Sequence, residues 1–324
     1  MSLYYLGFTL GAGGAWFVMT FGSQLGIDDA PNQRSSHTEI VPKGGGIGIL
    51  LTVLTTSWIL SIPPGLWIPA FTISIVSFWG GDKHRLTPLQ RLFVHFLCSI
   101  VFIISLFYER GLSPALLAGI LPISIFIVGT SNFFNFMDGI DGIAGISGAI
   151  AFLLIAFYSE MIGGVRTYTV FSIVLAFACA GFLCFNLPKA KVFLGDIGSI
   201  LIGFLFACLV TTISSDLLDF FVMAGFLSTF YFDELFTMAV RIQKGNSLIK
   251  AHRKHIYQLL VNEFSICHWK ISVLYGIIQL SIGLTLIYAS TKGFILLLIL
   301  YLMYCSIFIA FGLKVYKKAL IRCE

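Results

Sequence analysis

The chain has 324 residues, of which 58% are hydrophobic and 11% charged, with a net charge of +5. Soluble domains carry about 25% charged residues, so this composition excludes a water-facing surface over most of the molecule. The surrounding solvent is largely lipid. The seven cysteines form no CxxC pair, and five of them (Cys98, Cys179, Cys184, Cys208 and Cys305) lie inside apolar runs. This pattern indicates neither a disulfide framework nor a zinc site.

Runs of about 20 apolar residues mark membrane-crossing helices. Eleven are read in chain order: 3–25, 44–62, 66–80, 89–107, 115–136, 143–160, 168–187, 198–213, 217–240, 270–289 and 293–313. The first lacks a basic leader and is read as a helix, not a signal peptide. The expectation is an all-α, polytopic membrane protein forming one domain over 1–324. With the N-terminus outside, the odd-numbered loops and the C-terminal tail collect 17 of the 20 Lys and Arg residues, leaving only Arg110, Arg166 and Lys292 on the other side. Basic residues favour the cytoplasmic side. That places the C-terminus and the residue-rich loops in the cytoplasm.

Chemistry concentrates in those loops. The first contains Asp28, Asp29, Arg34 and His37, then Lys43 and the triplet Gly44-Gly45-Gly46 before an apolar run. Glycines at a helix start leave backbone amides open to an anion, and Arg34, His37 and Lys43 add donors. The second reads Gly80-Gly81-Asp82-Lys83-His84-Arg85. The third, Asn132-Phe133-Phe134-Asn135-Phe136-Met137-Asp138-Gly139-Ile140-Asp141-Gly142, lies where one helix leaves the membrane and the next enters. If it is helical, Asn132 and Asn135, or Asp138 and Asp141, share a face at i and i+3. Carboxylates between glycines suit a hard cation such as Mg²⁺ held partly by substrate phosphates. The fourth holds Asn186 and Phe193-Leu194-Gly195-Asp196-Ile197-Gly198-Ser199. The last is basic, with Arg241, Lys244, His252, Arg253, Lys254 and His255. Asp233 is buried in the ninth run, roughly 10 Å from its inner end at 1.5 Å per residue, where a carboxylate is costly and usually functional. Its neighbour Glu234 is expected to point elsewhere.

Taken together, the NxxNxxDGxDG stretch at 132–142, the FLGDIGS stretch at 193–199 and the loops around them resemble the polyprenyl-phosphate N-acetylhexosamine-1-phosphate transferases (glycosyltransferase family 4). The basic last loop is closer to the O-antigen-initiating branch than to the lipid I branch, whose His-rich motif is absent. The resemblance implies a bacterial inner-membrane enzyme that moves a sugar phosphate from a UDP-N-acetylhexosamine to undecaprenyl phosphate, with Mg²⁺, or Mn²⁺ in its place. It implies that Asp196 is a principal metal ligand. Asp138 and Asp141 lie in the nucleotide and metal site, with Asp138 also a ligand. Asn186 and Asn132 contact the uridine, Arg34 and Lys43 the phosphates, and His252, Arg253 and His255 the sugar and pyrophosphate. The family carries two adjacent aspartates in the second loop. Here the pair is Gly81-Asp82, which leaves Asp82 as the sole candidate there. No nucleic-acid partner is indicated, and a homodimer stays open. The competing reading is a transporter or flippase of a lipid-linked or phosphorylated sugar, which would place its site near the bilayer midplane.

Overall fold

The computed structural model describes residues 2–31, 36, 39–81, 86–111, 114–246 and 253–323. Thirteen helices carry the described chain: α1 (Ser2–Phe21), α2 (Ile47–Ile59), α3 (Pro64–Gly81), α4 (Pro88–Arg110), α5 (Pro114–Phe136), α6 (Ile143–Met161), α7 (Arg166–Asn186), α8 (Asp196–Ile213), α9 (Leu217–Ala224), α10 (Ser228–Gln243), α11 (Ile256–Asn262), α12 (His268–Ser290) and α13 (Phe294–Cys323). Ten of the eleven expected runs each overlap one helix, and the ninth overlaps two. Seven helices are long and apolar enough to cross a membrane: α4, α5, α6, α7, α8, α12 and α13. These features are those of a polytopic membrane protein.

Two elements depart from the expectation. The ninth run is not continuous, because the 3₁₀ turn Gly225–Leu227 separates α9 from α10. The polar stretch before the tenth run contains the short helix α11, whose apolar face is buried through Ile256, Leu259 and Leu260.

The bundle is built around α8, whose span is 94% buried, while the span of α13 is only 6% buried and presents its apolar surface outward. Without water to drive apolar surfaces together, helices in lipid associate through close packing at small residues. Gly11 of α1 lies against the backbone of Ala178 in α7, and Gly181 of α7 lies against the backbone of Phe8, so a Cβ at either position would collide. A two-stranded antiparallel pairing of β1 (Asp28–Asp29) with β2 (Val41–Pro42) folds the first loop back over the bundle end.

Candidate active site

A cavity of about 370 Å³ opens at one end of the bundle. Its wall comes from the α1–α2 loop (Asp29, Lys43), the end of α3 (Ser77), the α5–α6 turn (Asp138, Asp141), the α7–α8 loop (Asn186, Phe193, Asp196), and Gln258 and His268 beyond α10. The first, third and fourth loops singled out from the sequence thus meet at a single place, whereas no described residue of the second loop or of the basic stretch from Arg241 to His255 is on the wall. Arg34, His37, Asp82 and His252 lie outside the described residues.

Asp138 and Asp141 reach the cavity from a turn, not from a helix face. Helix α5 ends at Phe136, and α6 starts after Gly142, which adopts a left-handed φ of 85°. Only glycine takes that conformation without strain. The Gly142 N–H donates to Asn186 Oδ1 at 2.7 Å, and Asn186 Nδ2 donates to the Val192 carbonyl at 2.8 Å. Both amide atoms of Asn186, which is 5% exposed, are therefore spent on backbone. Asn186 lines the cavity and clamps two loops together, each of its amide atoms making one bond to backbone.

Asp196 begins α8. Its Oδ2 accepts from Arg91 Nη1 at 3.1 Å and its Oδ1 from Asn135 Nδ2 at 3.1 Å. Asn135 Nδ2 also donates to Ser199 Oγ at 2.8 Å. Asn135 and Arg91 were not singled out as site residues, although Asn135 stands within the quoted motif. Asp141 is held from α12. Its N–H approaches His268 Nδ1 at 3.3 Å, its Oδ2 lies 3.2 Å from the same nitrogen, and its carbonyl accepts from Ser272 Oγ at 2.7 Å. With Nδ1 bare, His268 accepts from the backbone N–H; with a proton on Nδ1, it donates to the carboxylate. Burial, followed by the charges of Asp196 and Asp141, pushes the Asp138 carboxyl up to about 7.

Other expectations are corrected. The amides of Gly44, Gly45 and Gly46 are not open to an anion. They donate to the carbonyls of Phe193, Phe193 and Leu194 at 3.0, 2.9 and 3.0 Å, because the first loop docks onto the α7–α8 loop. Asn132 is not on the cavity wall. Its Nδ2 donates to the Val128 carbonyl at 2.7 Å and sits 3.2 Å from His95 Nδ1. His95 in turn lies 3.1 Å from Ser77, which does line the cavity. His255 is 2% exposed, outside the cavity, and lies 3.5 Å from both Asp233 and Glu234, so Glu234 does not point away from its neighbour's surroundings. Arg253 is exposed and is not part of the wall.

Among the described residues no three His, Cys, Asp or Glu side chains converge tightly enough to hold a metal ion by themselves. A Mg²⁺ site does not require such a cluster. Mg²⁺ keeps several waters and is held by one or two carboxylates together with phosphate oxygens. Three carboxylates line one cavity, one of them raised by burial and then by its neighbours' charge, and a divalent cation would relieve their crowding.

Residues 64–214 match the family described as Glycosyl transferase family 4. The chain is 26% identical over 305 residues to a phospho-N-acetylmuramoyl-pentapeptide-transferase of Staphylococcus saprophyticus, covering 82% of this chain and 92% of the relative. It is 28% identical over 296 residues to an undecaprenyl-phosphate alpha-N-acetylglucosaminyl 1-phosphate transferase of Thermotoga maritima, covering 89% of each chain. Residues 64–214, the stretch that matches Glycosyl transferase family 4, carry Ser77, Asn135, Asp138, Asp141, Asn186 and Asp196 of the cavity wall, within a chain similar to both transferases over most of its length.

Proposed function

We propose that the protein transfers an N-acetylhexosamine-1-phosphate from a UDP-sugar to undecaprenyl phosphate, releasing UMP and starting a lipid-linked surface glycan of the O-antigen type. The observation that carries this reading is the meeting of Asp138, Asp141, Asp196 and Lys43 in one polar cavity at the end of an apolar bundle. A transporter would need its polar site near the midplane. Both relatives' names support transfer of a phosphosugar, and the name of the Thermotoga maritima relative supports an undecaprenyl-phosphate carrier. The cavity end is assigned to the cytoplasmic face of the bacterial inner membrane by the Lys and Arg asymmetry. The N-terminus is then outside, the C-terminus inside, and about eleven segments cross the membrane.

A phosphate oxygen of the lipid attacks the sugar-bearing phosphorus. The bond from that phosphorus to the UMP oxygen breaks, and UMP leaves with the electron pair. A phosphate monoester has its second pKa near 6 and is mostly dianionic at pH 7, so no strong base has to act from the place of Gly81. Catalysis then depends on in-line positioning and charge compensation. Asp196, Asp138 and phosphate oxygens would hold Mg²⁺, which neutralises diphosphate charge when bound. Arg91 and Asn135 aim the two oxygens of Asp196. His268 and Ser272 fix Asp141 against the cavity. Lys43 brings a cation to the diphosphate. The test is metal-dependent UMP release by detergent-purified protein. Wild-type turnover in an Asp196→Ala variant would remove the ligand assignment.

A further inference from the structure

We propose that Asp233, which is no part of the cavity wall, is a positioning residue that fixes the Met137–Gly142 turn through Tyr257 of α11. The proposal deepens the transfer reading and rests on it for the role of Asp138.

Asp233 is completely buried in α10, in the part of the bundle where an ionised or polar group is costly unless its lone pairs are satisfied. Four donors satisfy it. Oδ1 accepts from Thr237 Oγ1 at 3.2 Å and from the Ile256 N–H at 2.9 Å. Oδ2 accepts from the Tyr257 N–H at 3.2 Å and from the Tyr275 hydroxyl at 2.7 Å. His255 Nδ1 lies 3.5 Å away. Two of these donors are amides in the first turn of α11, groups that have no partner within their own helix. α11 has only seven residues, and isolated helices shorter than about 12 residues are marginal. Its place in the fold is therefore set by such anchors.

What α11 delivers is Tyr257. This residue is fully buried, and its hydroxyl donates to the carbonyl of Phe136, the last residue of α5, at 3.1 Å. A Cβ on Gly139 would collide with the same hydroxyl. The phenol thus sits against the backbone on either side of Asp138. The other half of the turn is reached from α12. His268 and Ser272 hold Asp141, and Tyr275, on the same face at i, i+4 and i+7, returns to Asp233. One buried carboxylate thereby ties both sides of the turn to the rigid bundle. A carboxylate that only stabilised the bundle would not need its donors to come from the two elements that grip this turn.

The decisive variant is Tyr257→Phe, which removes the bond to Phe136 and keeps the ring packing. Two quantities are read in detergent-purified protein whose unfolding temperature matches wild type. The first is kcat and KM for each substrate, and the second is hydrogen–deuterium exchange of the peptide covering 133–143. The expected result is a kcat lower by about tenfold, the scale of a lost hydrogen bond that positions a reacting group. Both KM values should stay within about twofold. Exchange should be faster at 133–143 and unchanged in α7 and α8. Asp233→Asn, which sets an amide against two backbone N–H donors, should move both readouts further, while Asp233→Glu recovers part of each. If Asp233→Asn does not fold, Tyr257→Phe alone decides. Wild-type kcat in that variant overturns the proposal. A lower kcat with wild-type exchange overturns it too, since the hydroxyl would then act on substrate directly. Should the wild-type protein release no UMP with any donor, the transfer reading fails, and unchanged exchange at 133–143 would separately overturn the anchoring of the turn.

Discussion

Asn135 offers the sharpest perturbation of the site, because it touches Asp196 without being a charged group itself. Its Nδ2 lies 3.1 Å from Asp196 Oδ1 and 2.8 Å from Ser199 Oγ. A hydrogen bond to a charged acceptor contributes about 1.5–3 kcal/mol. The Asp196 side chain is 35% exposed, and water screens part of that value, which leaves about 1.5 kcal/mol. At 1.4 kcal/mol per factor of ten, Asn135→Ala should lower kcat by about tenfold and move the Mg²⁺ concentration for half-maximal rate upward by a similar factor. Loss of a group that orients a metal ligand typically costs 10–100-fold. Asn135→Asp should be worse than Ala, since it adds a fourth carboxylate beside Asp196, Asp138 and Asp141. The assay is UMP release across a Mg²⁺ titration with saturating lipid acceptor. An Asn135→Ala protein with wild-type kcat and wild-type Mg²⁺ midpoint would refute the claim that Asp196 must be held by this amide to act.

Three further outcomes are expected. Asn186→Ala removes two backbone hydrogen bonds and strands the Gly142 N–H, at a cost of about 2–3 kcal/mol. The unfolding temperature should fall while KM for the UDP-sugar in the folded fraction hardly moves, and a large KM rise at unchanged stability would restore the uridine role. Lys43→Met keeps the length of the stem and deletes the cation, so KM for the UDP-sugar should rise about tenfold with little change in unfolding temperature; equal KM values would take Lys43 away from the diphosphate. The Asp138 carboxyl, pushed up to about 7 by burial and then by Asp196 and Asp141, binds its proton more tightly in the folded than in the unfolded protein. Metal-free protein should therefore lose stability as pH rises from about 4 to about 7. Added Mg²⁺, which relieves the crowded charge, should raise the unfolding temperature more at pH 8 than at pH 6. An equal Mg²⁺ effect at both values would separate Asp138 from the cation.

Much of the fold is legible in the sequence because the bilayer imposes a length on apolar runs, and ten of the eleven expected runs each overlap one helix. The break at Gly225–Leu227 is hidden because its residues are as apolar as their flanks. α11 is hidden because seven residues after a basic stretch give too little periodicity, and its first amides are bound by Asp233 of another helix, outside any local window. In the site, Asp138, Asp141, Asp196 and Lys43 are legible as polar groups at the mouths of apolar helices. The roles of the amides are not. Asn186 and Asn132 look like ligand contacts until their partners are known, and those partners are backbone groups at Gly142, Val192 and Val128. The glycine triplet misleads in the same way, since its amides are consumed by Phe193 and Leu194 about 150 residues away in the chain. His268 and Arg91 carry no local motif, and Gln258 ends the basic stretch without standing out as a site residue. They become site residues only when α12, α4 and α11 are packed around the turn.

The central claim is tested most directly by UMP release from purified, detergent-solubilised protein given undecaprenyl phosphate, Mg²⁺ and a panel of UDP-N-acetylhexosamines, with and without chelator. Release with at least one donor is expected, abolished by chelator and by Asp196→Ala. Folded wild-type protein that releases no UMP with any donor would contradict it and favour transport of a lipid-linked or phosphorylated sugar.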